Sequence, residues 1–67
     1  MKTESLQVNG YSVTKVARAI HLARAFYKAT IEYDLCGTKG SDGATLIFSG
    51  IEEREAKAYV RGFLQSH

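Results

Sequence analysis

The chain reads as a small α+β domain of β-α-β-β-α order, with two helices packed on one face of a short antiparallel sheet. Three observations predict this. Residues 12–30 and a second stretch opening at Ser49 repeat apolar side chains at three- and four-residue intervals, the period of an amphipathic helix. Between them, two short segments are suited to strands, residues 31–36 by alternation of apolar and polar side chains. The segment Gly37–Gly43 holds three glycines and separates those two strands as a hairpin tip would.

Taken in order, Thr3–Val8 opens the chain with Leu6 and Val8 alternating with polar neighbours, a short strand that Asn9-Gly10 breaks. Ser12 is placed to cap a helix running to about Thr30, because its hydroxyl can accept from a free amide of the first turn. Tyr11 before it and Val16 inside it suit a hydrophobic staple. On a helical wheel Val13, Val16, Ala19, Ile20, Ala23, Phe26 and Tyr27 share one arc and are expected to face the core. Ile31, Tyr33 and Leu35 then alternate with Glu32, Asp34 and Cys36, and Ala44–Phe48 supplies the returning strand. Ser49 and Glu52 have the spacing of a capping box and open the second helix. Along it Ala56, Tyr59, Val60, Phe63 and Leu64 form an apolar face, with Glu52, Glu53 and Glu55 at the end where the helix dipole favours acids.

Composition narrows the function. Sixty-seven residues suffice for one domain, expected to span 1–67 as a single small interaction domain. A single cysteine builds no disulfide framework, and with two histidines it falls short of a structural zinc site, so no cofactor or metal is expected. No apolar run approaches the ~18 residues that cross a bilayer, and the first ten residues lack the apolar stretch of a signal peptide. A cytoplasmic protein that does not engage a membrane is the expectation. A core this small gains from an oligomeric interface, which makes a homodimer the expected assembly.

Charge is the most informative feature. Residues 1–31 carry five cations against Glu4 alone, for +4, whereas residues 32–67 sum to −2. Lys15, Arg18, His21, Arg24 and Lys28 all fall outside the apolar arc of the first helix, giving it a basic face. Such a face complements an acidic protein surface or the phosphates of a nucleic acid. Within it Leu22, Ala25 and Ala29 form a stripe of small or apolar residues, and Ala58 and Gly62 are four apart on the second helix. Small residues at that spacing permit close packing against another surface.

Catalysis finds little support. Cys36 could serve as a nucleophile with His21 or His67 as base, but nothing in the spacing brings them together. The string Gly37-Thr38-Lys39-Gly40 is similar to the G-x-x-G loop of KH domains, which grips single-stranded nucleic acid. KH domains place that loop between helices and this chain places it between strands, so the activity is not carried over. Lys39 is the residue there that would meet a bound partner. The expected function is therefore a non-catalytic regulatory or inhibitory protein that occupies an acidic surface on a larger protein or protein complex. Lys15, Arg18, Arg24 and Lys28 supply charge complementarity, and Leu22 and Phe26 the apolar anchor. Small phage or mobile-element inhibitors share this physical profile. The alternative is a nucleic-acid-binding regulator using the same helix, and an enzyme or enzyme subunit ranks third.

Overall fold

The computed structural model describes residues 3–35 and 44–66. Within them the elements run β1 (Glu4–Val8), α1 (Val13–Phe26), β2 (Ala29–Leu35), β3 (Ala44–Gly50) and α2 (Glu53–Ser66). The expected element order and the α+β class are thus present. The strands form one antiparallel sheet in the order β1-β3-β2, so the last strand in sequence lies in the middle. β1 and β2 are both antiparallel to β3, hence parallel to each other, and α1 makes the crossover between them.

The register sorts the side chains. Phe48 lies between Glu4 and Ile31, and Leu46 between Leu6 and Tyr33, all on the face the helices cover. Ser5, Ile47 and Glu32 line up on the opposite face, which no helix among the described residues covers. That face is otherwise polar, with Gln7, Thr30, Thr45 and Ser49, as suits one side of an antiparallel sheet in water. The sheet contributes Val8, Ile31, Leu46 and Phe48 to the core, α1 contributes Ala19, Ile20 and Ala23, and α2 contributes Ala56, Val60 and Leu64. Alanine at three of the six helical core positions lets the helices approach sheet and neighbour closely.

Each helix begins and ends for a local reason. The Ser12 hydroxyl accepts from the Lys15 backbone N–H at 3.2 Å, so the expected N-cap is formed. The C-terminal boundary differs from the expectation of a helix to Thr30. Tyr27 is already extended, at φ −126° and ψ 146°, and its N–H closes the last turn on the Ala23 carbonyl. Thr30 and Ile31 are β-branched, and seven residues of β2 gain a ladder with β3 that another helical turn would forfeit.

The start of α2 departs from expectation as well. Ser49 lies in β3 opposite Thr30, and no capping box forms. Gly50 then turns the chain at φ +109°, a conformation that glycine adopts without penalty. Glu52 caps the helix instead, its carbonyl accepting from Ala56 N–H at 3.0 Å. Its other groups reach back to the α1–β2 connection: the carboxylate accepts from Lys28 N–H at 2.7 Å, and its own N–H donates to the Lys28 carbonyl at 3.1 Å. This reciprocal pair ties the entry of β2 to the entry of α2.

Two members of the expected core arc lie at the surface. Val13 is 54% and Phe26 66% exposed. They are the first and last residues of α1, whose buried side chains, Ala19, Ile20 and Ala23, lie in its middle and second half. The wheel assigns the angle of a side chain, not whether anything lies beneath it. No helix among the described residues is long and apolar enough to cross a membrane.

Candidate functional site

The helical side presents the residues expected to bind a partner, though not as one uniform face. Lys15 sits in the first turn of α1, where the positive end of the helix dipole opposes a cation. Its ammonium lies 5.2 Å from the centre of the Tyr11 ring, and that cation–π contact offsets the repulsion. Arg18 and His21 are exposed, with no hydrogen-bond or ion-pair partner among the described residues. Arg24 is committed to the fold, because its guanidinium donates to the Ile31 carbonyl on β2. Lys28 is not helical. The bonds to Glu52 hold its backbone, and its side chain is exposed.

The apolar components also divide. Leu22 is half-buried and Ala25 exposed, but Ala29 is the first residue of β2, so the Leu22/Ala25/Ala29 stripe does not exist as a helix surface. Ala58 and Gly62 do lie exposed on α2, and a methyl group added at Gly62 would meet nothing within 4 Å.

Phe26 is the most exposed ring of an aromatic cluster, centred on Tyr59, that the sequence did not reveal. Its ring lies edge-on to Tyr27, with centroids 6.5 Å apart, and tilted against Tyr59 at 5.7 Å. Tyr59 contacts Tyr27 at 5.8 Å and Phe63 at 6.4 Å, which joins the end of α1 to the exposed flank of α2. Such offset pairs hold each ring in place. Ile51 is 84% exposed and precedes Glu52, so it lies at the same end of the molecule. The sequence assigned Tyr27, Tyr59 and Phe63 to the core, and all three are only half-buried. The i, i+4 spacing of Tyr59 and Phe63 was the available signal, but it does not distinguish a buried seam from a displayed one.

A depression of about 460 Å³ flanks β2, lined by Arg24, Ile31, Glu32, Tyr33 and Ile47. It is larger than a chain this short leads one to expect, yet it is open to solvent, with Tyr33 57% exposed. No cysteine, serine or histidine among the described residues lines it. Among the described residues no three His, Cys, Asp or Glu side chains are grouped to hold a metal. Cys36, Lys39 and His67 lie outside the described residues, and with them the catalytic pair and the G-x-x-G loop.

The chain is thus a small α+β domain on an open three-stranded sheet, displaying an aromatic cluster beside exposed cations. No family model matches it, and neither a curated protein nor a solved structure does so.

Proposed function

We propose that the protein is a non-catalytic binding module that docks on an acidic surface of a larger protein through the C-terminal half of α1 and the adjoining flank of α2. The observation that carries this reading is Phe26, a large aromatic left 66% exposed while Tyr27 and Tyr59 hold it in place. Aromatics fixed in this way, flanked by arginine, are the residues that dominate protein–protein affinity. Leu22 extends the apolar surface back along α1 by a further turn, and Arg18 and Lys28 supply exposed positive charge on either side. Lys15 and Arg24 are engaged within the fold and serve mainly the overall field of the surface. A regulatory or inhibitory role, acting by occupation of the partner's surface in the cytoplasm, completes the proposal.

The test is affinity capture with Arg18→Glu and Phe26→Ala as paired controls. A partner retained by the native chain and lost from both variants supports the reading. Retention by either variant refutes the role of that residue. Binding to duplex DNA, measured by anisotropy, separates the nucleic-acid alternative, for which affinity falls by orders of magnitude between about 50 and about 200 mM salt. A docking surface with an aromatic anchor loses far less. Light scattering on the same sample reads out whether the partner of this surface is a second copy of the chain.

A further inference from the structure

We propose that the free edge of β1, together with the flank of α2 above it, accepts an extended acidic segment of another protein as a fourth strand. The two edges of the sheet are not equivalent. β2 has Arg24 laid against it, donating to the Ile31 carbonyl. β1 is the opposite edge, and among the described residues no side chain hydrogen-bonds to its backbone. An edge strand with no further strand beside it among the described residues is a template for strand addition.

Beside that edge lies a groove of about 160 Å³, lined by Leu6, Gln7, Val8 and Tyr11 on one side and by Arg61, Leu64 and Gln65 of α2 on the other. A volume of this order takes a six-carbon apolar group. A strand added to β1 would direct every second side chain toward the groove, so one apolar residue can fill it while a neighbour two residues away meets the helix flank. Charge sets the nature of that neighbour. Lys57 is already paired with Glu4 at 3.3 Å, whereas Arg61, a turn further along α2, is exposed with no ion-pair partner among the described residues. A carboxylate is what this position lacks.

The same charges weigh against a second copy as the occupant. Strands lie about 4.8 Å apart, and α2 packs over both β1 and β3. Pairing β1 with its own copy would set two α2 helices on the order of 10 Å apart, with Lys57 and Arg61 of each facing those of the other.

The probe is the blocked peptide Thr-Glu-Thr-Leu-Thr-Glu-Thr, whose palindromic order puts leucine and both glutamates on one face whichever way it pairs. It is titrated into isotope-labelled full-length protein, and amide chemical shifts are followed. Saturable shifts centred on β1 and on Arg61, Leu64 and Gln65 of α2 are expected. Of two versions N-methylated along alternate residues, one should bind and the other not, because only one edge of the peptide pairs. Arg61→Glu should weaken binding up to about fivefold, and a peptide with lysine in place of glutamate should restore it. The proposal is overturned by shifts centred on Phe26 and Tyr59, by equal behaviour of the two N-methylated peptides, by indifference to the Arg61 reversal, or by absence of saturable shifts. β1 shifts that grow with protein concentration alone would also overturn it, and would assign the edge to a second copy.

Discussion

Replacing Phe26 by alanine should separate binding from folding, and the structure sets the size of the effect. The residue is 66% exposed, so about a third of it is buried. Complete burial of a phenylalanine is worth ~1.5–3 kcal/mol, and a third of that is ~0.5–1 kcal/mol. The ring contacts with Tyr27 and Tyr59 add ~0.5 kcal/mol or more, for a loss of roughly 1–2 kcal/mol in all. Phe48 provides the contrast, since it is 0% exposed at the centre of the sheet, and truncating it should cost ~3–5 kcal/mol. A chain of this length has only ~3–10 kcal/mol of total stability. Phe26→Ala is therefore expected to fold, and Phe48→Ala to lose roughly 2–3 times as much stability. Urea denaturation followed by circular dichroism measures both, and partner capture is then assayed on the folded variant. If Phe26→Ala costs as much as Phe48→Ala, the ring belongs to the core and the argument for a displayed anchor fails. If it folds and still captures the partner, the anchor lies elsewhere.

Glu52→Ala removes the carboxylate that accepts from Lys28 N–H while leaving the backbone half of the pair in place. A loss of ~0.5–1.5 kcal/mol is expected, with faster hydrogen exchange at Lys28, and Glu52→Gln should recover some of it; an unchanged denaturation midpoint would dismiss the pair as incidental. Gly50→Ala should cost ~1–3 kcal/mol through backbone strain. The residue sits at φ +109°, whereas the added methyl would lie an ordinary 3.5 Å from the Ala29 Cα. D-alanine, introduced by chemical synthesis, suits that φ and should restore the loss; failure to do so would place the cost in crowding rather than in φ.

The local features of this protein were legible in its sequence because each depends on neighbours along the chain. The Ser12 cap, the break at Asn9-Gly10, the apolar periods of both helices and the alternation of β2 need only a few adjacent residues to express themselves. From these followed the element order and the α+β class. The ends of the elements were less legible, since there two local preferences compete and a distant strand decides. Residues 27–30 continue the helical pattern, but the ladder with β3 draws Ala29 and Thr30 into β2 and so dissolves the small-residue stripe. Glu52 has capping-box spacing from Ser49, yet its carboxylate turns to Lys28, which is close only because β2 and β3 pair.

The candidate site was legible in residue type and not in arrangement. Sequence alone determined that α1 carries basic residues without acids and that Leu22 and Phe26 share its surface with Arg18. Only the tertiary structure decided which cations remain available, because Arg24 meets Ile31 and Lys15 meets Tyr11 through contacts that no wheel contains. It also decided that Phe26 is displayed rather than buried. A helical period fixes the direction in which a side chain points, whereas burial requires something on the other side, and at the end of α1 Tyr27 and Tyr59 cover only part of the Phe26 ring.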